Sequence, residues 1–216
     1  VDADDVDAVT DAILFETGSG DEVVVLSAHL DGHDPAESAI DNATGCAVAL
    51  AVMRALAPHA HRFRRRLRLA FFSAEEWALT GSRVYVAGLP EDERRAIRLN
   101  VNLDSVGGAA RLTALCSDHA PLARFVARIA DASGQSVGTF LPLMANSDHA
   151  NFAAAGIPAL RLVAGFDDPS SHIRHVLTAA DTRDKVSMGE LRAAAITTTA
   201  LLWEALTAES FDWPAP

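Results

Sequence analysis

Hydrophobic positions along this chain follow two rhythms. Short runs rich in β-branched and aromatic residues stand at 12–15, 22–28, 67–73, 97–104, 112–115 and 157–163. Between them, apolar residues recur at helical spacing over 44–56, 80–87, 121–132 and 148–155, with a last helical stretch over 188–208. This alternation predicts an α/β fold, a three-layer sandwich whose central mixed, mostly parallel β-sheet is flanked by helices. The stretch after Asn42 is apolar nearly all round, so its helix is expected to be buried. Ser147 is a candidate N-cap for the helix opening at Asp148, and Gly156-Ile157-Pro158 stops that helix before a strand.

Composition narrows the picture. With 216 residues and 50% hydrophobic content the chain can bury one large core, and a single domain over 1–216 is expected. The formal charge is −11, and Lys185 is the only lysine, which argues against a nucleic-acid partner. The basic run "HRFRRRLR" lies between a predicted helix and a predicted strand and reads as a solvated loop rather than a phosphate patch. Cys46 and Cys116 are too few for a disulfide scaffold or a zinc ribbon and are expected in the core. No run approaches about 20 apolar residues and no charged-then-apolar leader is visible, so neither a membrane span nor a signal peptide is expected in this chain.

The candidate chemistry gathers where predicted strands end. "EVVVLSA" delivers His29 and Asp31, "LRLAFFSA" delivers Glu75 and Glu76, and "IRLNVNLD" delivers Asp104. Open α/β sheets place ligands at such ends, although a charged pair after a strand can equally mark a solvated turn. Asp41 precedes the apolar helix and can point into the same crevice. One imidazole among four or five carboxylates would repel unless cations held them. A mixed set of this kind suits zinc, and the excess of carboxylates suits two ions about 3.5–4 Å apart sharing a bridging carboxylate.

The words around these residues are more specific. In order, "SAHLDGHD", "AIDNATG", "SAEEWALTGSRVY", "NLDSVG" and "SDHANFAAAGIPAL" resemble the motifs of the M28 family of zinc peptidases over about residues 22–182. The resemblance implies a zinc-dependent exopeptidase, with the "EEWALTGS" word closest to its peptidase branch, acting on a peptide or aminoacyl substrate and most simply an aminopeptidase. It implies that His29 and Asp104 hold one zinc, Glu76 the other, and that Asp41 bridges both. Glu75 becomes the general base that takes a proton from the attacking water. Asp31 becomes the carboxylate that orients the ligating imidazole. The peptide after the bridging aspartate is expected in cis, and a secreted or periplasmic setting is favoured.

One departure stands out. The family's last ligand is a histidine in a pattern like "HTxADT", whereas this chain has "LTAADT" with Leu177 in that place. His175, two residues upstream, is expected to complete the second site, with His172 as the alternative. His149 is expected near the cleft with Ser147 and Asp148 shaping it, while His33, His59, His61 and His119 read as surface or loop residues. Ala78 replaces a frequent glycine. Phe140, Leu141, Leu143 and Met144 are candidates for an apolar substrate pocket or for core. Two other readings remain open to test. "GQSVG" matches a serine-esterase signature, but its helix and strand come in the wrong order. A metal-depleted relative acting as a binding or dimerisation module would explain Leu177, though it would not need Glu75.

Overall fold

The computed structural model describes residues 12–213. Seven strands form one sheet: β1 (Ala12–Thr17), β2 (Val23–His29), β3 (Arg66–Phe72), β4 (Ile97–Leu103), β5 (Leu112–Leu115), β6 (Val137–Phe140) and β7 (Ala159–Ala164). Their order is β1-β3-β2-β4-β7-β5-β6. The central strands β3, β2, β4 and β7 are mutually parallel, while β1 pairs antiparallel with β3 and β5 antiparallel with β7. The expected mixed, mostly parallel sheet is therefore present.

Six α-helices cover it: α1 (Thr44–Leu56), α2 (Thr80–Gly88), α3 (Glu91–Ala96), α4 (Ala120–Ser133), α5 (His149–Ala154) and α6 (Met188–Thr207). One face carries the larger core with α1, α4 and α6, and the other a smaller cluster that includes Val86 of α2 and Phe152 of α5. Side chains alternate across a strand, so Val24, Leu26 and Ala28 of β2 enter the larger core while Val23 and Val25 enter the smaller. Ser27 and His29 continue that second face. In β4, Leu99, Val101 and Leu103 face the larger core, leaving Asn100, Asn102 and the following Asp104 on the side of Ser27 and His29.

Those buried polar groups are linked to one another, with Asn100 Oδ1 alone among them left without a partner. Asn100 Nδ2 donates to Ser27 Oγ at 2.8 Å, Ser27 Oγ to Asn102 Oδ1 at 2.8 Å, and Asn102 Nδ2 to Ser147 Oγ at 2.7 Å. Buried polar groups are costly unless paired in this way. From β2 the chain goes to β3 on one side, whereas β4 lies on the other, so the strand order reverses between β2 and β4. Ligand crevices open outside strand C-termini at such reversals.

Several expectations are corrected. Helix α1 buries only its sheet-facing side, and Ala47, Leu50 and Ala51 lie exposed because no further layer covers them. The basic run is not merely a solvated loop. Arg65 is buried, donates to the Ala205 and Ala208 carbonyls at 3.0 and 2.7 Å at the end of α6, and pairs with Glu22 at 2.7 Å. Arg68 is likewise buried against Glu16 and Tyr85. Cys116 is core, but Cys46 is half-buried and its thiol donates to the His29 carbonyl at 3.0 Å. Ser147 does not cap α5: Asp148 holds the cap position and makes no side-chain cap bond.

Helix α3 and strand β6 lack a periodic apolar signal. The sequence EDERRA carries no apolar stripe and is held by ion pairs of Glu91 with Arg94 and Arg95. By length and composition alone the helical run Ala39–Arg62 could cross a membrane; 56% of its most apolar window is buried inside this fold.

Candidate metal centre

The end of β2 and the residue after β4 bring His29 and Asp104 together at the strand reversal, and Asp41 joins them from the turn Ala39–Ala43 ahead of α1. One potential ligand atom from each of the three lies within 4.8 Å of the others. His29 Nε2 stands 3.0 Å from Asp41 Oδ1 and 3.6 Å from Asp104 Oδ1. The other ring nitrogen, Nδ1, lies 3.2 Å from the Asp31 carbonyl and 3.5 Å from its carboxylate. A proton on Nδ1 satisfies that contact and leaves the Nε2 lone pair to a cation.

Asp41 is fixed by its surroundings. Its peptide bond to Asn42 is cis, as the resemblance implies. The Asp181 carboxylate accepts the Ile40 and Asp41 N–H groups at 2.7 and 3.0 Å. Asn42 donates to the Leu103 carbonyl and accepts from Gly45 and Ser105. Gly45 permits this approach, since a Cβ there would lie 2.4 Å from the Leu103 carbonyl oxygen.

The glutamate pair follows β3 on a turn with left-handed residues at Ala74, Ala78 and Leu79. The φ of +58° at Ala78 accounts for the glycine often found there in the family. The Asp31 carboxylate accepts both the Glu75 and Glu76 N–H groups at 3.1 Å, so it holds the turn as well as facing His29. Glu75 is buried, and burial together with the charges of Asp104, Asp148 and Asp41 pushes its carboxyl up to about 9 against the influence of His29. Burial and repulsion from Asp41 also raise Glu76. For Asp41 the same two causes, burial and repulsion from Asp104, outweigh His29. Burial acts against the charged forms of His29 and Asp104 as well. Arg161 and His29 nonetheless hold Asp104 well below the usual carboxylate range, and the surrounding carboxylates raise His29.

This arrangement fits a bound dication. The donor set is one imidazole with hard oxygen ligands, the carboxylates crowd against one another, and Glu76 Oε1 is buried without a hydrogen-bond partner. A cation among them satisfies all three conditions.

The second expected half does not assemble in the same way. Glu76 lines the cavity with Asp41, Glu75 and Asp104 but lies outside the close group of three. His175 is not brought to that group. The segment after Ser171 turns as a short 3₁₀ helix, His172–His175, and presents Ile173, Val176 and Leu177 to the cavity instead. His172 is engaged elsewhere, with Nδ1 2.7 Å from the Lys185 carbonyl. The candidates Phe140, Leu141, Leu143 and Met144 neither line the cavity, whose apolar wall is Leu115, Val163, Phe166, Ile173, Val176 and Leu177, nor lie in the buried core, Leu141 and Leu143 being exposed. Phe140 packs on one residue of that wall, its ring centroid 5.1 Å from that of Phe166.

His149 is fully buried, and burial pushes it down to about 4. Burial pushes its neighbour Asp148 up to about 6. The Ser82 hydroxyl lies near enough to oppose that rise but short of hydrogen-bond geometry. His33, His59 and His61 are exposed, whereas His119 is partly buried, accepting from the Leu122 N–H at 3.1 Å to cap α4.

Sequence reasoning missed Asp181 and Arg161. Asp181 stood in the quoted "ADT" word but had no spacing to mark its role. Arg161 Nη2 lies 3.2 Å from Asp104 Oδ1, and its Nη1 donates to the Asn146 carbonyl at 3.1 Å.

Comparison with known proteins agrees with this fold. A sequence profile described as Peptidase family M28 matches residues 12–202. Leucine aminopeptidase 2 of Trichophyton equinum is 34% identical over 97 residues, 44% of this chain and 19% of its own length. Aminopeptidase YwaD of Bacillus subtilis (strain 168) is 28% identical over 195 residues, 87% of this chain and 42% of its own. The structure of BSAP, a zinc aminopeptidase from Bacillus subtilis, superposes with a TM-score of 0.83 at 27% identity, covering 92% of this chain and 50% of that one. The chain thus spans half or less of the length of these relatives.

Proposed function

The chain belongs to peptidase family M28, and on that premise we propose that it is the single catalytic domain of a zinc-dependent exopeptidase, an aminopeptidase in its simplest form. The observation that carries this reading is the convergence of His29, Asp41 and Asp104 at a cavity that the two aspartates line together with a buried Glu75. The names of its relatives point the same way.

In this reading His29, Asp41 and Asp104 hold one zinc firmly. A second position faces Glu76 and Asp41 and is weaker, because Leu177 stands where an imidazole is needed and His175 lies off the cavity. A zinc held there would polarise the scissile carbonyl and would lower the pKa of a water toward about 7. With a dication offsetting the carboxylates that raise it, Glu75 ionises, takes the proton of the attacking water and passes it to the leaving amine. Asp31 positions Glu75 through its backbone N–H and orients His29. Asp181 aims Asp41 by holding the two N–H groups before its carboxylate. The carboxylates around the cavity suit a substrate's α-ammonium group, which favours cleavage at the amino end.

The test is hydrolysis of amino-acid p-nitroanilides beside their N-acetylated forms, with zinc loaded and then chelated. Cleavage of the free amines only, lost on chelation and restored by zinc, is the expected result. A second reading, a metal-depleted binding or dimerisation module, draws on Leu177 in the cavity wall. Little or no zinc retained after loading, with no cleavage of any substrate, would favour it.

A further inference from the structure

The cavity beside the metal centre, about 330 Å³, is near the lower end of the range for ligand pockets and takes roughly one residue together with a scissile bond. Its charged lining is four carboxylates and a single cation, Arg161. Arg161 comes from the middle of β7, where it pairs in register with Asn102 of β4, so its backbone is set by the sheet rather than by a loop. The residue is buried, and three of its five N–H groups are accounted for: Nε to the Asp104 carbonyl, Nη2 to the Asp104 carboxylate and Nη1 to the Asn146 carbonyl. The remaining two have no acceptor among the described residues, and Arg161 lines the cavity beside apolar residues that include Leu115, its neighbour in register on β5, and Val163.

A guanidinium held by three contacts is preorganised, and its natural complement is a carboxylate. We propose that Arg161 makes this site selective for substrates that carry a carboxylate within about one residue of the scissile bond. The proposal rests on the exopeptidase reading for the word substrate, but the binding it predicts does not require catalysis. The carboxylate can come from the side chain of an acidic amino-terminal residue or from the free carboxyl end of a dipeptide. An aliphatic wall with one buried cation accepts the methylenes of either and rejects an uncharged polar isostere. Such an isostere would leave the two N–H groups not taken by Asp104 and Asn146 without a charged acceptor.

The test is binding by calorimetry, with zinc loaded and with zinc removed. Glutamate is compared with glutamine for the side-chain source, and leucine with leucinamide for the terminal source. In at least one pair the carboxylate member is expected to bind about tenfold or more tightly. Arg161→Met is expected to reduce that ratio to near one, and Arg161→Lys to restore part of it, with zinc content and thermal midpoint measured alongside. Preference in the first pair assigns the side-chain source, and in the second the terminal source. Equal affinities in both pairs for the unmodified chain would overturn the proposal while leaving peptide cleavage intact. Carboxylate preference without cleavage of any peptide would instead overturn the exopeptidase reading and leave the role of Arg161 standing.

Discussion

The two halves of the metal centre are built differently. His29 ends β2 and Asp104 follows β4, and both inherit their positions from neighbouring strands in register; their side chains are 1% and 3% exposed. Asp41 is pinned from both sides by Asp181 and Asn42. The other half rests on loops. Glu76 sits in a turn held by Asp31, and the segment that should supply the last ligand offers Ile173, Val176 and Leu177. A donor carried by a sheet tolerates little displacement, because a one-residue slip reverses every side chain. A donor carried by a 3₁₀ turn depends on a single position, and two residues of offset in that turn do not bring His175 round to the cavity.

The largest break expected is in the strand-borne half. His29→Ala should remove the firmly held zinc and reduce peptide cleavage to background, measured as zinc per chain and as release of p-nitroaniline. Retained zinc would mean the ion sits elsewhere. Next comes Glu75→Gln, expected to lower kcat roughly 10²–10⁴-fold while zinc content stays unchanged, since the residue moves a proton and does not ligate. Asp31→Asn should weaken zinc binding roughly 10–100-fold, because the imidazole loses the group that orients it.

Smaller effects sharpen the contrast between the halves. Leu177→His should tighten the second ion about tenfold or more, equivalent to about 1.4 kcal/mol, with the first ion unaffected. His175→Ala should change neither ion. A loss of the second ion in that variant would show that the turn moves to bring His175 in, as the sequence expectation had it.

Much of this architecture was legible before any coordinates. The strands of the parallel core announce themselves as continuous apolar runs, and the strand-end residues His29, Glu75 and Asp104 follow from where those runs stop. Asp41 and Glu76 became legible through the words around them. What stayed hidden has physical reasons. Arg161 lies inside "ALRLVA", where strand alternation makes a charged residue look outward, and only the neighbouring strand shows that its face is a buried polar stripe. Asp181 acts through backbone N–H groups some 140 residues away in sequence, a contact that no spacing rule encodes. The buried arginines of "HRFRRRLR" find partners on β1, α2 and α6 that exist only after folding. Leu177 was visible as a departure, but which side chains replaced the missing imidazole depended on how the turn was wound.

A zinc titration of the metal-free chain by calorimetry, in competition with a chelator of known affinity, tests the asymmetry most directly. One firmly bound ion followed by a distinctly weaker second is the predicted isotherm. Two ions of equal affinity, or none, would contradict the division between a strand-built and a loop-built half.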